Sequence, residues 1–318
     1  MKPLRVGVIG VGHLGQHHAR LYAGMPNVTL AGVVDADQER AKLIADRHGT
    51  AVYDDVAVLL GQQVDAVSIA VPTSSHHAVA AQCLQAGVHV LVEKPLAVTV
   101  AQCQDLVGLA QARRRVLQVG HIERFNPVME KVRPLVRQPI FFECQRVSPF
   151  TGRSADVDVV RDLMSHDLDM VLSFHPGEVE DVQAAGAPVL TTLIDVANVR
   201  LTFSSGCVAN LAASRVSANQ MRLLRVFEQD GYITVDYQTR QVSVHRRSHE
   251  AGKPLAMRVE HLQGSDEEPL KLELDAFLQA VRSGAPPVVS GEDGTATMAL
   301  AQRILDVIDA FWRRHASV

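Results

Sequence analysis

Three groups of residues in this 318-residue chain have types and spacings suited to chemistry. The first is Gly10-Val11-Gly12-His13-Leu14-Gly15. Gly10 permits a tight turn, Gly12 has no side chain to block a pyrophosphate, and Gly15 lets a helix pack close to a strand. Free N–H groups at the start of that helix, around His13 and Leu14, then bind phosphates. Asp35 lies 20 residues past Gly15, where a carboxylate accepts hydrogen bonds from both ribose hydroxyls and repels a 2′-phosphate. Ala36 and Asp37 add no cation, so the pattern reads as NAD over NADP, with Arg40 the side chain able to fold back and compensate. The second group is Glu93-Lys94-Pro95 at the end of an apolar strand. Strand C-termini in an open α/β sheet face the ligand crevice, so Lys94 would point at the nicotinamide end, aimed by the fixed backbone of Pro95. A surface ion pair accounts for the same residues equally well. The third group is Asp162 and His166, four apart on one helical face, where a carboxylate can orient an imidazole and raise its basicity. An ordinary helix with capping acids and a satisfied His is the competing explanation.

These groups need a scaffold, and the first 120 residues supply one. Leu4–Ile9, Leu30–Val34, Ala66–Val71, Val88–Val92 and Val116–Val119 are nearly all apolar and rich in β-branched residues. Strands of a parallel sheet covered on both faces have this composition. Helical patterns alternate with them at Leu14–Ala23, Gln38–Arg47, His76–Ala86 and Val100–Ala112. Gly49 and Gly87 stand where helices end, and Asp35, Thr73 and Thr99 where the next ones start. The order predicts an α/β Rossmann domain, a doubly wound parallel sheet, over residues 1–121.

The rhythm then changes. Helical stretches at Pro127–Val136 and Val159–Phe174 flank a strand at Ile140–Val147. Strands follow at Thr192–Phe203, Cys207–Ser214, Arg222–Gln229, Gly231–Asp236 and Gln241–His245, with hairpin turns at Ser205-Gly206 and Asp230-Gly231. Residues 248–268 read partly as loop, and helices at Pro269–Ser283 and Gly294–Arg314 close the chain. Residues 122–318 are therefore expected to form an α+β domain with a large, mostly antiparallel open sheet. Its exposed face should be covered by another copy, giving a homodimer or homotetramer.

With 47% hydrophobic and 21% charged residues the chain is globular, and a net charge of −4 removes any global attraction to nucleic acid or anionic membrane. Arg113-Arg114-Arg115 follows a helical stretch and suits its C-terminal dipole. The N-terminus lacks the features of a signal peptide, and no segment has the apolar length of a membrane span. Cys83, Cys103, Cys144 and Cys207 form no C-x-x-C pair, so neither zinc nor a disulfide framework is expected. A cytoplasmic location without a metal fits these facts.

Together the motifs resemble the glucose–fructose oxidoreductase / inositol dehydrogenase / MocA family. The glycine fingerprint, Pro72-Thr73-Ser74-Ser75-His76, Glu93-Lys94-Pro95, the Gly120–Pro127 junction and Asp162…His166 come in its order and spacing over essentially the whole chain. The resemblance implies Lys94, Asp162 and His166 as the catalytic set. It adds Pro72, Thr73, His76, Glu93, Lys94 and His121 to the cofactor site, with Lys94 holding the nicotinamide ribose. His166 would be the base that takes a hydroxyl proton while Asp162 stabilises its imidazolium; Lys94 would stabilise the developing alkoxide, or serve as the base itself. One departure concerns the glycine-rich run that many members carry before Asp-x-x-x-His. Here it is Asp158-Val159-Val160-Arg161, which suggests a more helical backbone and an Arg161 that enters the pocket.

Gly120-His121-Ile122-Glu123-Arg124-Phe125-Asn126-Pro127 resembles the junction of the branch acting on UDP-N-acetylhexosamines. That implies oxidation of the 3-hydroxyl of a substrate such as UDP-N-acetylglucosamine, giving a 3-keto sugar for an aminotransferase in amino-sugar or lipid A precursor synthesis. A diphosphate needs cations, and Arg124, Arg146, Arg153, Arg161 and Arg215, with Asn126, are the candidates. A polyol or free-sugar dehydrogenase is the alternative substrate class. A non-catalytic NAD(P)-binding regulatory protein is the alternative of another kind, and it would be expected to lack Lys94 or His166.

Overall fold

The computed structural model describes residues 2–152, 157–248 and 256–315. The chain folds into two compact units: Met1–Ile122 with Pro269–Met298, and Glu123–Glu268 with Ala299–Val318. A cut after residue 121 with everything later in the second domain therefore differs from the structure at 269–298.

The first unit begins with β1 (Leu4–Ile9), α1 (Gly15–Gly24), β2 (Val28–Val34), α2 (Gln38–His48) and α3 (Val56–Leu60). It continues through β3 (Ala66–Ile69), α4 (Thr73–Gln85), β4 (His89–Glu93), α5 (Val100–Arg113) and β5 (Leu117–Gly120). The five strands are parallel in the order β2-β1-β3-β4-β5. Short α3 escapes a periodicity argument because its five residues complete barely more than one turn. Thr99 caps α5 in a reciprocal capping box with Gln102, and Gly49 ends α2 in the left-handed region. Asp37, rather than Asp35, caps α2, and Thr73 starts α4 as expected.

In the second unit come α6 (Pro127–Val132), β6 (Phe141–Val147), a π-helical segment Val160–Met164 and α7 (Ser165–Leu172). Strands β7 (Val179–Ala187), β8 (Val196–Phe203), β9 (Val208–Ser214), β10 (Met221–Glu228), β11 (Gly231–Asp236), β12 (Gln241–Ser248) and β13 (Ala256–Gln263) follow. Among the described residues eight strands form one sheet, β13-β12-β11-β10-β6-β9-β8-β7, in which only β6 and β9 pair in parallel. β6 and β9 alternate buried with half-buried residues, the pattern of a sheet covered on one face. The covered face packs Phe142, Leu211 and Val226 against Met164, Leu168 and the late residues Ile304 and Ile308. β13 is missing from the sequence-based expectation because nearly every residue of this edge strand is exposed, which leaves no alternation to read.

The last helices are α8 (Pro269–Ser283) and α9 (Gly291–His315). The apolar face of α8, with Leu270, Leu274 and Phe277, joins Ala19 and Tyr22 of α1 in the core of the first unit. That burial is why this late segment belongs with the N-terminal sheet.

Candidate active site

The strand order of the first unit reverses between β1 and β3, so a crevice opens outside their C-terminal ends. β1 leads into Gly10, β2 into Asp35, β3 into the Val71-Pro72 turn and β4 into Lys94. Gly10 has φ +83°, and a Cβ there would press on the Ala70 carbonyl at 2.7 Å. A Cβ on Gly15 would overlap the Gly10 carbonyl oxygen, whereas one on Gly12 would meet nothing within 4 Å. The loop therefore needs Gly10 and Gly15 for its own packing, and the open space before Gly12 fits the approach of a dinucleotide's pyrophosphate. His13 and Leu14 are exposed on the same turn, and half-buried Thr73 opens α4 beside exposed Pro72. His121 is buried.

Asp35 is buried, and both carboxylate oxygens are occupied. The Val11 N–H donates to Oδ2 at 2.7 Å and the Asp37 N–H to Oδ1 at 2.9 Å. Arg40 donates from Nη2 to Oδ1 at 2.7 Å and from Nε to Oδ2 at 3.3 Å. Burial alone would raise this carboxyl's pKa, but the Arg40 fork and the two backbone donors outweigh it and hold the group below the usual carboxylate range. Arg40 does fold back, and its side chain stays 44% exposed.

Lys94 and Glu93 are half-buried, and the Lys94–Pro95 peptide bond is cis. Glu93 accepts from His18 Nε2 at 3.0 Å. His76 is engaged through both ring nitrogens. Its Nδ1 lies 2.8 Å from the Pro95 carbonyl and its Nε2 2.9 Å from that of Val71, which leaves the buried ring no free nitrogen. The motifs in the sequence do not single out His18. Its signal is position: Gly15, His18, Ala19 and Tyr22 form the buried stripe of α1, so a polar ring there needs an internal partner.

In the second unit, Asp162 lies in the π-helical segment and His166 in the first turn of α7, both half-buried. The Ser165 N–H reaches back five residues to the Val160 carbonyl, so the backbone is helical here but wound more widely than an α-helix. Arg161 does not project freely. It donates to Asp158 at 2.7 Å and to Gln302 at 2.6 Å.

The remaining cation candidates are also engaged within the protein. Arg124 grips Asp169 through two bonds of 2.7 and 2.8 Å. Arg146 donates to both oxygens of Asp167 at 2.9 and 3.1 Å and to Glu123 at 2.9 Å, all in the interior. Burial lifts the Asp167 pKa although Arg146 opposes the shift. Arg215 pairs with Asp195 at 3.6 Å and donates to the Val157 carbonyl. Asn126 caps α6 and bonds Glu123 and the Tyr237 carbonyl, each at 3.3 Å. Each of these residues thus has an internal partner, as buried charges need. Arg153 lies outside the described residues.

Among the described residues no group of three or more His, Cys, Asp or Glu could hold a metal ion. No described helix is long and apolar enough to cross a membrane, and all four cysteines are buried free thiols.

Residues 4–121 match the model of an oxidoreductase family with an NAD-binding Rossmann fold, and residues 137–234 match the GFO/IDH/MocA C-terminal domain. A UDP-N-acetylglucosamine 3-dehydrogenase from Acidithiobacillus ferrooxidans is 40% identical over 98% of this chain and 99% of its own length. A solved structure of the enzyme of that name from the same organism superimposes with a TM-score of 0.92, covering 98% of this chain and 99% of the other. Myo-inositol 2-dehydrogenase of Thermotoga maritima is 27% identical over 93% of this chain and 94% of its own. A levoglucosan dehydrogenase in complex with NADH and levoglucosan, 20% identical, shares the fold with a TM-score of 0.87 over 97% of this chain and 98% of its own. A Rossmann sheet with its glycine turn, a mostly antiparallel eight-stranded sheet and full-length similarity to a dehydrogenase converge on one statement: the chain belongs to the GFO/IDH/MocA oxidoreductase family.

Proposed function

We propose that this protein oxidises the 3-hydroxyl of a UDP-N-acetylhexosamine, UDP-N-acetylglucosamine foremost, with NAD. The 3-keto sugar nucleotide then passes to an aminotransferase in amino-sugar or lipid A precursor synthesis in the cytoplasm. The observation that carries this reading is the 40% identity, over nearly the whole of both chains, to a UDP-N-acetylglucosamine 3-dehydrogenase. Inositol dehydrogenases at lower identity make a polyol the second substrate class to test.

Bound NAD supplies the hydride acceptor; every other role falls to this chain. The glycine turn and α1 N-terminus receive the pyrophosphate. Asp35 receives the adenosine ribose once Arg40 yields a carboxylate oxygen, because the present bonds saturate its acceptor sites. His166 takes the hydroxyl proton, Asp162 stabilises the resulting imidazolium, and Lys94 stabilises the developing alkoxide charge. The second unit receives the sugar nucleotide, and its open sheet face mediates a homodimer or homotetramer. Phe141, Phe227, Tyr232 and His245 run across that face as a row of ring contacts of 5.5, 5.3 and 4.2 Å between centroids. Such a half-covered aromatic row suits a subunit contact.

The test is NADH formation from a panel of UDP-N-acetylglucosamine, inositols and free sugars, with mass spectrometry for a product two hydrogens lighter. UDP-N-acetylglucosamine should react best; reaction with inositol alone moves the substrate to the polyols. No reduction with any member, despite NAD binding, favours a regulatory protein. His166→Ala should lower turnover by about two to four orders of magnitude with NAD affinity little changed. Near-normal turnover would take the proton-acceptor role away from His166.

A further inference from the structure

The turn that carries Lys94 is held from both sides by histidines that no solvent reaches. On one side His18 of α1, 0% exposed, sets Nε2 3.0 Å from Glu93 Oε1, one residue before Lys94. On the other side His76 of α4, 1% exposed, sets Nδ1 2.8 Å from the carbonyl of Pro95, one residue after it. The second nitrogen of His76 sits 2.9 Å from the Val71 carbonyl, so the ring also links the Lys94 turn to the turn after β3. All these residues lie within the first unit.

The chemistry of the partners fixes where the protons must be. A carboxylate and a peptide carbonyl accept hydrogen bonds and cannot donate them. Hence the His18 proton that matters is on Nε2, and the His76 proton that matters is on Nδ1. His18 Nδ1 is buried without a hydrogen-bond partner among the described residues, which suits a lone pair better than an N–H there. At His76 both ring nitrogens face carbonyl oxygens, and only an imidazolium satisfies both; nearby Glu93 favours that form while burial opposes it more strongly. The Nδ1 proton is present in that form and in the one tautomer that holds Pro95.

We infer that His18 and His76 are positioning residues that hold the Lys94 ammonium in its working orientation, through the Glu93 carboxylate and the Pro95 carbonyl respectively. The inference rests on the proposed catalytic role of Lys94 and adds how that role is enforced. A long, flexible lysine loses catalytic value when its anchor shifts, since displacement by about 1 Å can cost on the order of 100-fold in rate.

The two bonds use opposite ring nitrogens, so a crossed pair of substitutions tests them. An Asn amide nitrogen falls where Nδ1 lies, and a Gln amide nitrogen where Nε2 lies. At position 18 the Gln variant keeps the donor and the Asn variant moves it; at position 76 the assignment reverses. With NAD and UDP-N-acetylglucosamine, H18N and H76Q should lose about 10- to 100-fold in kcat, chiefly beyond any change in NAD affinity measured by calorimetry. H18Q should exceed H18N, and H76N exceed H76Q, by about tenfold. Level activities within each pair would show that the histidines only fill space, and would overturn the inference. So would a loss confined to the KM for NAD. Lys94→Ala separates the two layers: normal turnover in that variant removes the catalytic reading and this inference with it. An inactive Lys94→Ala beside level crossed pairs removes the inference alone. If the variants do not fold, ring ¹⁵N NMR of the NAD-bound wild-type protein decides. Protons on Nε2 of His18 and Nδ1 of His76 are expected, and the opposite tautomer at either site overturns it.

Discussion

Two arginine–aspartate pairs, one in each unit, are alike in geometry and opposite in use. Arg40 forks onto Asp35 at the edge of the first unit's crevice with its side chain 44% exposed. Arg146 forks onto Asp167 inside the second unit with 5% exposure, and holds Glu123 as well. The Arg40 pair can be exchanged for ligand contacts, because an exposed guanidinium regains water when it lets go. The Arg146 pair cannot, because releasing either partner strands a charge in a medium that solvates it poorly. On the proposed function, a short, well-formed ion pair serves recognition in one place and the core in the other, and exposure is what separates the two.

The sharpest way to break this contrast is Arg146→Ala. With Glu123 and Asp167 left unpaired in the interior, stability should fall by about 3–5 kcal/mol, read as a lower denaturation midpoint by circular dichroism. A variant of unaltered stability with a raised KM for UDP-N-acetylglucosamine would return Arg146 to the substrate site.

Acid titration sharpens the contrast on a smaller scale. His89 in β4 accepts the Val116 N–H on Nδ1 at 2.9 Å, and burial with nearby Arg115 pulls its pKa from 6.5 down to about 4. The unfolded chain binds this proton first, so the contribution is intact above about pH 6.5 and is lost as pH falls toward about 4. In the second unit Asp195 is held at about 2, against the burial that would raise it, by the N–H groups of Thr191, Val189 and Leu190. Its contribution is present above 3.8 and disappears only as pH falls toward about 2. His89→Asn, whose amide oxygen still accepts from Val116, should flatten the stability profile between pH 6.5 and 4 by about 1–2 kcal/mol. An unchanged profile would mean that other groups govern this range.

The smallest effect is expected at Arg40. Arg40→Ala frees Asp35, so NAD should bind slightly better and NADP worse, shifting the ratio of their kcat/KM values by about two- to fivefold. A shift toward NADP would show that Arg40 obstructs the 2′-phosphate instead of receiving it.

How legible the protein is from its residues varies with the kind of signal. β1 can be read to its ends, Leu4–Ile9, and α8 likewise, Pro269–Ser283, because apolar runs and helical stripes are local patterns. Gly10 and Gly15 are legible for the same reason: their turn is six residues long. The internal partners of Arg124, Arg146 and Arg215 are not, because each is set by a residue 20 or more positions away. Nor are those of His18 and His76, which meet Glu93 and Pro95 only after β4 has paired beside β3.

The sequence by itself determined the fold class, the glycine turn and the order of Lys94, Asp162 and His166, since these depend on residue type and near spacing. Tertiary structure alone decided which charges are spent inside the protein, that α8 completes the N-terminal core, and that two histidines brace the Lys94 turn. The reason is physical: whether a polar group is available depends on its solvent exposure and on partners distant in the chain, and both come into being only when the chain packs.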